Sequence, residues 1–362
     1  MKKELTSRQL AFLAAIILFG RLSLIGESSV GRDIWLVFII VPLLGLPLVR
    51  MYSMIRIDGE NKMTDVFYLS IGKVFGVAAI VLLIVVAIII ASSGVTLFTV
   101  FISSTPVENN LLVPSVIVMC ITIALLMSVS EGTLGRSSTI TFPLIAILLI
   151  ISFIASIKHM DFGSILPIAE YGYTNIAKGI FTSLGFQVAP LVFLVFSTAR
   201  CSCGKKVSHA VSVGLLCACF LLMVAHLRNV LILGYPSVSL FRFPNYIALT
   251  QINMGDLFQG MEIVMTQAFL LCQPIKSAMC LRFAGQMMTE FFPKTKKVWP
   301  IALPMLSGFL TLLNYGDAYD LIISNFYLRS FICFTLIGIP FVMLISLAAR
   351  KKLRKETEKA SA

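Results

Sequence analysis

Charged side chains are scarce in this sequence, and no polar stretch is long enough to form a separate soluble domain. Asp, Glu, Lys and Arg make up 13% of the 362 residues, about half of the roughly 25% that is typical of soluble domains. The sequence contains no phosphate-binding glycine loop, zinc-binding helix or hydrolase nucleophile motif. This composition excludes a soluble globular protein, and we do not expect an enzyme.

Ten hydrophobic segments occupy most of the chain. The hydrocarbon core of a bilayer is crossed by about 20 helical residues, and stretches of roughly this length recur throughout. They predict an all-α integral membrane protein with a single transmembrane domain over 1–362, in which 350–362 forms a basic tail. The predicted spans are 9–26, 34–55, 76–101, 112–129, 139–157, 176–199, 207–226, 257–284, 299–315 and 326–349.

Basic residues gather on one side of the membrane if the N-terminus is cytoplasmic. Their clusters lie at 2–8, 50–73, 200–206, 294–297 and 350–359. Cytoplasmic loops retain Lys and Arg, so both termini are expected to be cytoplasmic. The net charge of +12 is then explained by topology and by contact with anionic lipid, and nucleic-acid binding is not expected.

The ten spans divide into two halves of five, at about 8–157 and 176–349. Because each half has an odd number of spans, the second half enters the membrane from the opposite side, as in an inverted repeat. Glycine interrupts the first span of each half, at Phe19-Gly20-Arg21 and within 183–190. Paired interruptions indicate a ligand site near the middle of the membrane. The alternative is that glycine and proline simply kink packed helices.

Two segments between the spans are predicted to form helices outside the bilayer. Residues 64–73 have an amphipathic pattern, with Thr64 as a suitable N-cap. Residues 233–255 are moderately polar and suit a short helical lid over the outer face.

Several short motifs resemble those of the B-subunit permeases of endospore nutrient-germinant receptors. The resemblance extends over nearly the whole chain, and this family is similar to the amino acid–polyamine–organocation transporters. It therefore implies a LeuT-like five-plus-five fold with broken helices 1 and 6. It also implies A and C partner subunits and a location in the spore inner membrane. The motifs are LTSRQL at 5–10, GRDIWL at 31–36, IGKVFG at 71–76, and MGDLF at 254–258 followed by Glu262 and Lys276.

Residues at the two interruptions are the first candidates for ligand contact. Unwound backbone frees N–H and C=O groups, and helix N-termini attract a carboxylate. We expect Gly20, Gly185 and Gln187 to contact the ligand, with Phe186 as an aromatic gate or wall. Glycine-lined segments of this kind favour an amino acid as the ligand.

Polar residues in the third and eighth spans are further candidates. Ser92 and Ser93 would add hydroxyl groups to the same cavity, although small residues also serve helix packing. Thr266 and Gln273 are seven residues apart and therefore share one face of the eighth span.

Two basic residues lie within or beside apolar segments. A cation within a membrane faces a cavity or a partner, and Lys276 is therefore predicted to occupy the place where sodium-coupled relatives hold an ion. The alternative is that Lys276 extends to the inner surface, near Arg282. Arg21 is expected to pair with a substrate carboxylate or to form a structural ion pair with Glu27 or Glu262.

The eight cysteines indicate neither a metal site nor a disulfide framework. Cys201 and Cys203, with His209 nearby, lie on the predicted cytoplasmic side, where thiols stay reduced. A metal site would need further ligands at suitable spacing. We expect no metal and no cofactor.

Three functions are consistent with the sequence. The first is a germinant-sensing subunit that binds an amino acid and signals by conformational change. The second is a proton- or sodium-coupled amino-acid transporter. The third is a scaffold in which side chains fill the central site.

Overall fold

A computed structural model describes residues 5–22, 30–55, 62–104, 111–170, 172–198, 204–234, 237–251, 261–313 and 326–360. The side chains of 21–22, 204–205, 239, 261–270, 326 and 351–360 lie outside this description. Within the described ranges, all regular secondary structure is helical. The helices are α1 (Ser7–Leu22), α2 (Ile34–Met54), α3 (Met63–Ile71), α4 (Lys73–Ser104), α5 (Leu112–Ser128), α6 (Glu131–Ser156), α7 (Tyr173–Ser183), α8 (Leu191–Ser197), α9 (Gly204–Leu233), α10 (Ser237–Leu240), α11 (Pro244–Thr250), α12 (Met261–Phe291), α13 (Trp299–Leu313) and α14 (Phe326–Ala360).

Each of the ten predicted spans overlaps a helix or a pair of helices. In the described part of the chain, six helical segments are long and apolar enough to cross a bilayer, and α1, α5 and α13 are shorter apolar helices. The six segments are Gly31–Met54, Lys73–Ser104, Glu131–His159, Tyr173–Ser197, Lys206–Leu233 and Tyr327–Arg350.

Large apolar side chains cover the outside of the helix bundle. Ile39 and Leu43 on α2, Ile117 and Leu125 on α5, and Ile147 on α6 are all exposed. A soluble monomer seldom exposes apolar surface of this extent, whereas lipid tails solvate it. The protein is therefore an integral, multi-pass membrane protein, as predicted.

The boundaries predicted for the fifth and seventh spans were wrong. Helix α6 begins eight residues early because Ser130 caps it, its hydroxyl oxygen accepting a hydrogen bond from the Thr133 N–H at 3.2 Å. Helix α9 continues beyond 226 to Leu233, and its last turns bury His226 and Arg228. Hydropathy placed these polar residues at the end of the span or beyond it, but contacts inside the bundle accommodate them. The predicted tail at 350–362 continues the last helix as far as Ala360.

Helix α1 occupies the centre of the bundle. It packs against α6, α9 and α12, while α4 packs along α12. Its residues from Leu13 to Phe19 are buried. Helix α1 runs through Gly20 and Arg21 to Leu22 without a break, so the interruption is not at Gly20 itself, and residues 23–29 lie outside the description. Gly20 serves a close helix contact instead.

The amphipathic segment near 64–73 forms α3, as predicted, but its N-cap is Lys62 instead of Thr64. The Asp65 carboxylate accepts from the Lys62 N–H at 3.1 Å. The Glu290 carboxylate, at the end of α12, accepts from the N–H groups of Met63 at 3.2 Å and Thr64 at 2.8 Å. A carboxylate at a helix N-terminus satisfies free N–H groups and complements the helix dipole. Helix α3 is thereby fixed to α12.

Two adjacent residues hold the segment that leads into α7. The Arg32 guanidinium forms an ion pair with Glu170 at 2.7 Å, and the Asp33 carboxylate accepts from the Ala169 N–H at 3.1 Å. Both Arg32 and Asp33 are buried. The short helices predicted within 233–255 are present as α10 and α11.

Arg282 ties α12 to the end of α5. Its guanidinium donates to the carbonyl oxygens of Leu126 at 2.7 Å and Val129 at 2.5 Å, where the last turn of α5 leaves carbonyls without helical partners. This contact holds α12 against the end of α5, and Arg282 lies six residues beyond Lys276.

Candidate ligand site at the helix break

The sixth predicted span is interrupted where the sequence indicated. Helix α7 ends at Ser183, a π-helical segment covers Leu184–Val188, and α8 begins at Leu191. The Ala189 N–H donates to the Leu184 carbonyl, five residues before it, at 2.8 Å. π-Segments of this kind are frequent at functional sites.

Pro190 explains why a carbonyl group becomes available in this segment. In an α-helix, the N–H of residue 190 would donate to the carbonyl of Phe186, but proline has no N–H. The Phe186 carbonyl can therefore accept from a donor on another helix. Such a donor is needed because a buried carbonyl without a partner is costly.

Lys276 supplies that donor. Its Nζ donates to the Phe186 carbonyl oxygen at 2.8 Å, and the side chain is 2% exposed. The alternative that Lys276 extends to the inner surface was wrong, because the ammonium group points to the helix break. The predicted ion-replacing function of Lys276 stays a prediction. Residues 186 and 276 are 90 positions apart, so local sequence gave no sign of the pairing.

Gln273 lies on the same face of α12, three residues before Lys276. A Cβ atom on Gly20 of α1 would be 3.0 Å from Gln273 Oε1, and one on Gly94 of α4 would be 2.7 Å from Gln273 Nε2. The Gly94 position would also collide with Ser277 Oγ. The absence of a side chain at these two glycines therefore allows the Gln273 amide to fit between α1 and α4. The predicted site residues Gly20 and Gln273 are brought together, whereas the sequence gave no reason to assign Gly94 a contact of its own.

Three buried polar atoms around the break have no hydrogen-bond partner among the described residues. They are Ser183 Oγ, Gln187 Nε2 and Gln273 Oε1. Buried polar groups are nearly always paired in folded proteins, and those that are not need an explanation. Gln187 Nε2 is a donor and Gln273 Oε1 an acceptor, so each needs a partner of the opposite kind.

The structure does not bring the serines of the third span to this break. Ser92 Oγ lies 3.4 Å from Thr311 Oγ1 on α13, and Ser93 Oγ donates to the Ile90 carbonyl in its own helix at 2.7 Å. Both hydroxyl groups therefore have partners outside the break, and their predicted contact with the ligand stays a prediction. Because an α-helix turns 100° per residue, the face that presents Gly94 to α12 directs Ser92 elsewhere.

The remaining candidate site residues either face another helix or lie outside the described residues. Gly185 faces α14, since a Cβ atom there would be 2.9 Å from the Cys333 Cβ; its small size serves helix packing, and its ligand contact stays a prediction. The side chains of Arg21 and Thr266 lie outside the described residues, as do the possible partners Glu27 and Glu262. No group of His, Cys, Asp and Glu suited to a metal occurs in the described part of the chain.

Comparison with known proteins gives a family and a fold. A family model described as "Spore germination protein" matches residues 4–316. No curated protein matches the chain by sequence.

Several solved structures share the fold of this chain. MhsT in complex with L-phenylalanine superposes with a TM-score of 0.69 at 17% identity, over 96% of this chain and 99% of that one. Inward-facing Mhp1 has a TM-score of 0.60 at 12% identity, over 94% and 76%. A mutant of the manganese transporter of Eremococcus coleocola has a TM-score of 0.52 at 12% identity, over 95% and 76%. The chain therefore has the LeuT fold that the sequence predicted.

Proposed function

The chain belongs to the spore germination protein family, and from that premise we propose that it is the membrane-embedded subunit that senses a nutrient germinant. The proposed ligand is an amino acid, bound between the π-segment, α1, α4 and α12. The proposal includes partner A and C subunits, both termini in the cytoplasm and a location in the spore inner membrane. The basic clusters identified in the sequence support this orientation.

The interrupted helix next to a buried lysine is the observation that carries the proposal. Lys276 holds the Phe186 carbonyl, and Gln187 Nε2 and Gln273 Oε1 are buried without partners among the described residues. A zwitterionic amino acid has donors and acceptors at one end, and leaves its side chain for the aromatic wall. A pure scaffold would be expected to pair these buried polar groups or to replace them with apolar side chains.

Signalling requires only that the ligand bind one conformation better than another. The Lys276–Phe186 bond joins α12 to the interrupted sixth span, and α12 also packs on α1 and α4. A ligand that bridges Gln187 and Gln273 would stabilise the arrangement in which these elements are closest. Their movement relative to the rest of the bundle would then be transmitted to the partner subunits.

The second candidate is a coupled amino-acid transporter. It is supported by the shared fold with MhsT, which was solved in complex with L-phenylalanine. A transporter must move the ligand through the membrane with an ion or proton, whereas a sensor needs only to bind it. The two are separated by net flux.

A panel of radiolabelled amino acids, bound to protein in nanodiscs, tests the site. The wild-type protein is expected to bind at least one amino acid saturably. Gly94→Leu is expected to abolish that binding, because a Cβ atom there would already lie 2.7 Å from Gln273 Nε2 and closer still to Ser277 Oγ, so that a leucine must displace the Gln273 amide. Gly338→Leu on α14 is the matched control, since a Cβ atom there has no neighbour within 4 Å among the described residues. Equal binding by both variants would contradict the proposed site.

A further inference from the structure

A second buried cation lies away from the helix break. Arg228, in the last turns of α9, is 0% exposed and among the largest fully buried side chains of the described residues. A guanidinium is always protonated in proteins, so a full positive charge is enclosed here. Buried charges are normally paired with an opposite charge.

The hydrogen bonds of Arg228 go to neutral groups. Nη1 donates to Ser152 Oγ on α6 at 2.6 Å, and Nη2 donates to Asn229 Oδ1 at 2.9 Å. Nη2 also donates to Asn245 Oδ1 on α11. In the described part of the chain, none of its bonds goes to a carboxylate. Asp161 is joined to the end of α9 through its backbone N–H, which donates to the Leu231 carbonyl.

The carboxylate of Asp161 is used elsewhere. It accepts hydrogen bonds from the Gly163 N–H at 2.9 Å and from Ser164 Oγ at 3.2 Å, within its own loop. Asp161 therefore does not balance the charge of Arg228, although its backbone is bonded to the end of α9. Arg228 has no counter-charge among the described residues.

Two donors in this cluster have no acceptor among the described residues. They are Nε of Arg228 and Nδ2 of Asn229, both fully enclosed. The cluster therefore contains a positive charge without a counter-charge and two N–H groups, on adjacent residues, without acceptors. A negatively charged acceptor would satisfy both. This cluster is separate from the proposed ligand site at the helix break.

We propose that Arg228 and Asn229 bind a small monovalent anion of the size of chloride. One guanidinium balances one negative charge, and complete burial excludes a bulky organic anion. The anion accepts from Arg228 Nε and Asn229 Nδ2, while Ser152 and Asn245 hold the guanidinium in place. Since these groups come from α6, α9 and α11, a bound anion strengthens the joint between the three helices.

Thermal unfolding of the purified full-length protein tests the site. The unfolding midpoint is measured in sodium chloride, sodium acetate and sodium gluconate at equal ionic strength. We expect chloride to raise the wild-type midpoint over gluconate by about 2 °C or more, in a manner that saturates with concentration. Stabilisation by acetate as well supports the site and shows that a small carboxylate also fits.

Variants assign the effect to this cluster. Arg228→Gln is expected to remove the chloride-dependent shift, and Arg136→Gln, an exposed arginine of α6, is expected to retain it. Asn229→Ala keeps the arginine and is expected to weaken chloride binding by about tenfold or more, roughly the loss of one hydrogen bond to a charged group. It therefore tests the site even if Arg228→Gln does not fold. An equal midpoint in all three salts for the wild-type protein would overturn the proposal, as would a full shift in Asn229→Ala.

Discussion

Replacing Lys276 with methionine is expected to weaken amino-acid binding by roughly tenfold to one-hundredfold. The variant keeps the length and packing of the side chain but leaves the buried Phe186 carbonyl without the ammonium donor. A hydrogen bond to a charged group contributes about 1.5–3 kcal/mol, and each 1.4 kcal/mol is about a factor of ten in affinity. The π-segment then relaxes away from the geometry that presents Gln187. Equilibrium binding in nanodiscs measures the dissociation constant.

Lys206→Met is the matched control, because Lys206 is exposed at the start of α9 and its loss should leave the dissociation constant unchanged. The ammonium of Lys276 is also proposed to replace a bound cation, since carbonyls of unwound segments coordinate sodium in related folds. Wild-type binding is accordingly expected to be equal in sodium and choline buffers. A dissociation constant in Lys276→Met equal to that of the wild type across pH would contradict both statements.

Replacing Gly214 with valine is expected to prevent recovery of folded protein. Gly214 of α9 faces α1, and a Cβ atom there would lie well under 3.0 Å from the Ala11 carbonyl oxygen, and 3.1 Å from the Ala15 backbone nitrogen. Backbone atoms cannot rotate away as a side chain can, so the two central helices must separate. Overpacking commonly costs about 1–3 kcal/mol and sometimes more, and this crossing belongs at the upper end. Size-exclusion chromatography of detergent extracts measures the monodisperse fraction.

The corresponding change at Gly338 is the control for Gly214. Both glycines are in transmembrane helices, but Gly338 has open space around its Cα among the described residues. Gly338→Val should therefore elute like the wild type. A normal elution profile and thermal midpoint for Gly214→Val would show that α1 and α9 are not packed as described.

The transmembrane helices were predictable because lipid imposes one strong requirement on sequence, a long apolar stretch. Each predicted span overlaps a helix, and the break in the sixth was found from the glycine within 183–190. Boundaries failed where polar residues lie inside the bundle. Arg228 and His226 resembled residues at or beyond the end of a span, and only tertiary contacts show that they are buried in α9.

The direction of side chains was the least predictable property. Gly20 and Gly185 both stand at predicted breaks, yet Gly20 lies within a continuous α1 beside Gln273, and Gly185 packs on α14. Ser92 was grouped with the site although its helix directs it to Thr311 on α13. Which face of a hydrophobic helix meets which neighbour depends on packing between distant segments, and a nearly uniform apolar sequence carries little information about it.

The Lys276–Phe186 bond depends on local sequence features and on a contact between distant segments. Pro190 leaves a carbonyl four residues before it without a helical donor, and an intramembrane lysine predicts a partner. Neither feature identifies the other, because 90 positions separate the two bonded residues. Similar pairs of a proline-interrupted span and a buried cation would be worth seeking together in other sequences of this fold.

Retention of a radiolabelled amino acid by proteoliposomes, before and after permeabilisation, tests the central claim most directly. Saturable retention close to one ligand per protein that survives permeabilisation, and that is lost in Gly94→Leu, is the predicted result. It would show a receptor-like site beside the interrupted helix. Accumulation above that level that disappears on permeabilisation would contradict the sensing function and identify a transporter. Saturable retention that persists in Gly94→Leu would contradict the position of the site.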